Sequence, residues 1–103
     1  MHIVSRALLI SFCSQSAYSD AREALQAWYE VASKARWRSP ADVKAQFGNA
    51  SIVGENRVVF NIKGNDYRLI VAFAYRTGWG YIKFVGTHAQ YDAVDAVTVD
   101  QSK

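Results

Sequence analysis

Six residues in the second half of this 103-residue chain carry side chains suited to holding or breaking a phosphodiester: Asn61, Lys63, Arg68, Lys83, His88 and Tyr91. Each offers something different. A guanidinium grips two phosphate oxygens at once, and ammonium groups act as point charges. An imidazole titrates near neutrality and can give or take a proton. A tyrosine ring can stack a base, or its hydroxyl can join a proton relay. Together they cover what RNA cleavage without a metal requires: a base for the ribose 2′-hydroxyl, an acid for the leaving oxygen, and cations for the developing phosphorane. Taken singly they mean less, since exposed lysines protect strand edges and a lone histidine near a turn is commonly a structural hydrogen-bonder. Convergence is the point to establish. Without catalysis, the same face would serve a non-catalytic RNA- or ribosome-binding module.

The stretch that must position them runs from Phe60 to Ile70. Apolar residues alternate on both sides of Gly64-Asn65, which predicts a hairpin with a two-residue loop. Lys63 then lies opposite Asp66, Ile62 opposite Tyr67, Phe60 opposite Leu69 and Val58 opposite Val71. One side of the hairpin is apolar, and Asn61 and Arg68 become cross-strand neighbours on the other. Three strands are expected at about 57–63, 66–76 and 79–86, as an antiparallel meander. A two-residue turn at Thr77-Gly78 would set Phe73 against Ile82, Val71 against Phe84 and Ala72 against Lys83, with Arg68 level with Thr87. On that register the large apolar partners share one face, and Asn61, Lys63, Arg68, Lys83 and Thr87 share the other.

Upstream, His2-Ile3-Val4 reads as a short strand, and Ser5 as the cap of a short helix carrying Leu8, Leu9 and Phe12. The segment from about Asp20 to Trp37 has Ala24, Leu25, Trp28, Tyr29, Ala32 and Ala35 at helical spacing. Ser39 caps a further helix, with Pro40 at its first position, running to about Phe47. Ser51 to Asn56 reads as a connection. Thr87 caps a short helix through His88, Tyr91 and Asp92, and the tail from Thr98 reads as loose. The fold class expected is α+β, with an antiparallel sheet of three to four strands packed on two to three N-terminal helices and a short C-terminal helix.

The length suits one domain over residues 1–103, and half the residues are apolar. Twelve basic against nine acidic residues give a net charge of +3, which points to an anionic partner only if the cations cluster. One cysteine, Cys13, makes no internal disulfide and no cysteine-based zinc site, and a reducing compartment follows as the simpler expectation. No stretch reads as a signal peptide or a membrane span. His2 and His88 lack metal-ligand spacing, so no metal and no cofactor is assigned. Gly-rich phosphate loops and nucleophile elbows are missing, which removes kinase and hydrolase readings.

Two signatures carry a family likeness: the Phe60-Asn-Ile-x-Gly-Asn-x-Tyr-Arg-Leu69 hairpin and Thr87-His-x-x-Tyr-Asp92. With Ala24-Leu-Gln-Ala-Trp-Tyr29 and Trp37-Arg-Ser-Pro-Ala-Asp-Val-Lys44, the chain resembles the HigB-type toxins of type II toxin–antitoxin modules, within the RelE-like superfamily of messenger RNA endonucleases. The resemblance implies a RelE-like fold and a cytoplasmic ribonuclease acting on mRNA, usually on the ribosome. It also implies a HigA-like helix-turn-helix antitoxin, with operator DNA reached only through that antitoxin. Carried over by position, the family's active-site residues fall on Arg68, His88 and Tyr91, with Lys63 and Lys83 as additions; Asn61 joins the two lysines on the phosphate-binding side through its cross-strand place beside Arg68.

Overall fold

The computed structural model describes residues 1–103, in the order β1 (His2–Val4), α1 (Arg6–Ser14), a 3-10 turn (Ser16–Ala21), α2 (Arg22–Lys34), α3 (Pro40–Gln46), β2 (Ser51–Val53), β3 (Arg57–Ile62), β4 (Tyr67–Ala74), β5 (Trp79–Thr87) and α4 (His88–Asp92). This is the expected α+β class. The sheet has five strands in the order β1-β5-β4-β3-β2, where three to four were expected. It is also mixed, because β1 runs parallel to β5 at one edge while β2, expected as a connection, pairs antiparallel with β3 at the other. No helix is long and apolar enough to cross a membrane.

The β3–β4 hairpin has the anticipated register, with Ile62 opposite Tyr67, Asn61 opposite Arg68, Phe60 opposite Leu69 and Val58 opposite Val71. Its turn differs in one detail. Lys63 and Gly64 both take positive φ, 52° and 65°, so the left-handed pair begins one residue before the Gly-Asn step. Phe60, Leu69 and Val71, each 1% exposed or less, face the helices, where Leu25 and Trp28 of α2 and Val43 of α3 complete the main core. Burying side chains of this size contributes about 1.5–3 kcal/mol each.

α2 ends at Lys34, three residues before Trp37. The chain leaves the helix at Ala35 in an extended conformation, and Trp37 drops into the core against Phe47, Phe60 and Phe73. Its indole N–H donates to Gln46 Oε1 at 2.6 Å. An indole that fills a core gap and finds a partner outweighs one more helical turn. The helix signals elsewhere hold with one exception. Ser39 accepts from the Asp42 N–H with Pro40 at the first position, and Thr87 and Gln90 form a reciprocal capping box. Ser5 stands at the start of α1 in a left-handed conformation and makes no side-chain cap.

The β4–β5 pairing departs from expectation, with consequences for the second face of the sheet. The turn spans four residues, 75–78, rather than two, so Val71 meets Ile82 and Phe73 meets Gly80. A bulge between Ile70 and Val71 then absorbs Lys83 on β5, and beyond it Ile70 meets Phe84, Arg68 meets Gly86 and Tyr67 meets Thr87. One extra residue in a strand re-aims every side chain beyond it. Phe84 therefore joins Val59 and Ile70 on the face expected to be polar, in a second core covered by Tyr91, Val94, Ala96 and Val99.

That cover is the C-terminal tail, which is docked rather than loose. The Gln101 N–H donates to the Lys83 carbonyl at 2.8 Å, and the Val85 N–H donates to Gln101 Oε1 at 2.9 Å. Arg57, 8% exposed, donates to the carbonyls of Ala96 at 3.0 Å and Val99 at 2.6 Å. Charged hydrogen bonds of this kind contribute about 1.5–3 kcal/mol. Arg57→Ala is accordingly expected to lower unfolding free energy by about 2–3 kcal/mol in urea denaturation. An unchanged midpoint would show that the tail adds nothing to the second core.

Candidate functional site

Arg68, His88 and Tyr91 come together at one corner, where the start of β4 meets the end of β5 and α4. The backbone does most of the positioning. Thr87 pairs with Tyr67, the His88 N–H donates to the Asp66 carbonyl at 3.0 Å, and the capping box turns the chain sharply into α4. Gly86, opposite Arg68, leaves room for that turn. A Cβ there would lie 2.6 Å from the Phe84 ring and 2.8 Å from the Gln90 oxygen that caps α4.

Arg68 is 8% exposed. Its guanidinium donates to the Asn65 carbonyl at 3.0 Å, the Tyr67 carbonyl at 3.2 Å and Asn65 Oδ1 at 2.6 Å, and lies 5.8 Å from the centre of the Tyr91 ring. None of those partners is an anion, and no carboxylate lies within 4.0 Å. A desolvated charge without a counter-ion attracts an anionic ligand strongly.

Half-exposed His88 presents an edge of the same corner. Its Nδ1 lies 3.0 Å from an Asp92 carboxylate oxygen, which fixes the ring and leaves Nε2 for a substrate. Asp92 is not among the site residues that the sequence suggests. The spacing of four residues on one helix face is the signal that finds the pair. Asn65 is also missed by the sequence reading, although it holds Arg68 through both backbone and side chain; only its place in the hairpin turn marks it. The Tyr91 ring is half-buried, tilted against Phe84 at 6.4 Å, with the Arg68 guanidinium 5.8 Å from its centre.

The two lysines are engaged elsewhere. Lys63, in the hairpin turn, donates to Asp20 at 2.6 Å, and Lys83, in the bulge, pairs with Asp100 at 3.2 Å. Neither is a free cation at the corner. Asn61 makes a long contact, 3.5 Å, with the Asn49 carbonyl.

Asp20 also accepts from the Tyr67 hydroxyl, so it clamps the hairpin from the helical side. Hydrogen bonds from Lys63 first and Tyr67 second hold its carboxyl below the usual range, and the bond to Asp20 pushes the Tyr67 phenol up to about 12. The Asp100 carboxyl is held at about 2, first by Ser102 and further by Lys83. The signs differ between the two ends of the clamp. The depressed carboxyl stabilises the fold above its ordinary value of 3.8, and that stabilisation fades as pH falls. The raised phenol stabilises it below 10.0, and that stabilisation is lost as pH climbs through about 12.

The α+β layout, a sheet packed on helices with a short helix after its last strand, fits a RelE-like fold. The model of the HigB toxin family, described as the RelE-like toxic component of a toxin-antitoxin system, matches residues 21–94, and the chain belongs to that family. It is the toxin component of such a system, which implies an antitoxin partner. No curated protein matches it. The matched span includes α2, the hairpin, Arg68, His88 and Tyr91, and stops at the start of the tail.

The clamp is directly measurable. In ultraviolet difference titration one tyrosine should ionise near pH 12, and Asp20→Asn should return it toward about 10. Identical titration curves for the two proteins would remove Asp20 as the cause.

Proposed function

We propose that this toxin is an endoribonuclease that cuts mRNA on the ribosome, in the cytoplasm, by attack of the ribose 2′-hydroxyl on the adjacent phosphorus. The observation that carries the reading is the buried guanidinium of Arg68, without a counter-ion and 5.8 Å from the Tyr91 ring, with the His88–Asp92 pair on the same short helix as Tyr91. A scissile phosphate supplies the missing negative charge. As O2′ bonds to phosphorus, its proton leaves to a base. The bond from phosphorus to O5′ then breaks, and an acid protonates that oxygen, giving a 2′,3′-cyclic phosphate and a 5′-hydroxyl.

His88 and the Tyr91 hydroxyl are the proton-transfer groups of this scheme, and Arg68 stabilises the dianionic phosphorane. Asp92 orients the imidazole. Lys63 and Lys83, paired with Asp20 and Asp100, reach a phosphate only by exchanging those carboxylates for it. Asn61, cross-strand from Arg68, completes the polar floor. The chain's own residues provide acid, base and cation, so the scheme calls on no metal. The partner in this reading is a HigA-like helix-turn-helix antitoxin, through which alone the pair meets operator DNA.

Arg68→Ala and His88→Ala should each lower cleavage by about a hundredfold or more and restore growth to cells expressing the toxin without its antitoxin. Arg68→Lys and Asn65→Ala, read alongside, separate loss of charge from loss of the turn. Undiminished cleavage by soluble Arg68→Ala and His88→Ala would contradict the assignment. RNA binding without cleavage by the parent protein would favour the non-catalytic reading.

A further inference from the structure

A groove of about 610 Å³ lies at the other end of β4 and β5, between the chain leaving α2 and the four-residue turn that joins the two strands. Lys34, Arg36, Arg38 and Arg76 line it, with Tyr75 and Thr77, and no carboxylate does. Lys34 reaches back to Glu30 at 3.4 Å, with both side chains largely exposed, a pair of little strength. Arg36, Arg38 and Arg76 are exposed and have no acidic partner within 4.0 Å. Asp42, nearby in sequence, accepts from the backbone N–H of Arg38 and does not line the groove.

The arginines are held on a firm base. Trp37, 4% exposed, is pinned by Gln46 and three phenylalanine rings. In an extended segment alternate side chains point opposite ways, so the inward Trp37 turns Arg36 and Arg38 outward together. Arg76 faces them from the turn. The Tyr75 hydroxyl in the groove wall is buried with no hydrogen-bond partner.

The distribution of charge identifies the kind of ligand. The chain has 12 basic and 9 acidic residues, and four of the basic ones line this groove without an acid. Elsewhere acids outnumber bases by one, so the groove holds the whole positive excess. We propose that it is a second RNA-binding surface, which takes the sugar-phosphate backbone of the same or a neighbouring RNA strand away from the cleavage corner. It rests on the RNA reading above for the identity of the polymer.

Arginine forks on an open floor suit successive phosphates, which need charge and no base readout. An acidic peptide would want an apolar anchor pocket. Here Trp37 is buried in the core, and the half-buried Tyr75 ring is stacked on Phe73. From Arg68 to Ala74, where β4 ends and the turn bearing Arg76 begins, the chain advances roughly 20 Å along the strand. A dinucleotide therefore reaches the corner alone.

The test compares the parent toxin with the triple variant Arg36→Ala, Arg38→Ala, Arg76→Ala, whose substitutions are all on exposed side chains. Affinity for a fully 2′-O-methylated, uncleavable RNA of about 20 nucleotides is followed by fluorescence anisotropy across a salt series. The variant should bind about tenfold or more weakly, and its slope of log affinity against log salt should be shallower by about 2. Its thermal unfolding should match the parent's.

Unchanged RNA affinity and slope in the variant, with cleavage of RNA by the parent, would overturn the groove and leave the corner standing. Groove-dependent binding by a parent that leaves mRNA uncut on translating ribosomes as well would support the groove and sink the corner. Loss of antitoxin binding in the variant with RNA affinity intact would assign the arginines to an acidic protein and overturn the proposal.

Discussion

Everything distinctive in this molecule depends on how β5 lies against β4. A four-residue turn and one bulged residue, Lys83, shift the pairing by two positions and then restore one. Because side chains alternate between faces, that odd correction moves Phe84 to the side away from the helices. Once Phe84 stands there with Val59 and Ile70, the second face can no longer be left to solvent. The tail must cover it, and α4 must fold back over the strand ends. Arg68 is thereby enclosed by Tyr91 rather than displayed on an open sheet.

The electrostatic organisation has the same geometric origin. Both lysines that could have crowded the corner are held by carboxylates, Lys63 by Asp20 and Lys83 by Asp100. Arg57 and Arg68 are equally buried, yet they differ in role. Arg57 ties down the tail through its carbonyls, whereas Arg68 fastens its own turn and still faces an aromatic ring at a solvent-bordered corner. Positive charge that is free of partners gathers at the far end of the strands. Under the proposed RNA-cutting function the two places differ in kind: the corner concentrates a single desolvated charge, and the groove spreads several solvated ones.

Legibility in the sequence varies with the range of the interaction. The β3–β4 register is legible because a Gly-Asn turn and strict alternation act within a dozen residues. Ser39-Pro40 and the Thr87–Gln90 box are legible for the same reason. The meeting of Arg68 with the start of α4 survives the error in the β4–β5 register, since Tyr67 and Thr87 still close the strand ends. The bulge at Lys83 leaves no mark in composition, and a four-residue turn ending in Gly78 looks like a two-residue one. Val59 and Ile70 are the signal that corrects the second face: two large apolar residues on a supposedly wet surface require a lid, and Val94, Ala96 and Val99 are there to make it. Asp20 and Asp100 lie 43 and 17 residues from the lysines they neutralise, beyond any local pattern.

The most direct test of whether the Arg68 corner holds a phosphate for attack by its neighbouring 2′-hydroxyl is the end chemistry of mRNA cut by the purified toxin on translating ribosomes. A 2′,3′-cyclic phosphate on the upstream fragment and a 5′-hydroxyl on the downstream one is the expected result. A 3′-hydroxyl end on the upstream fragment, or mRNA left uncut, would contradict it.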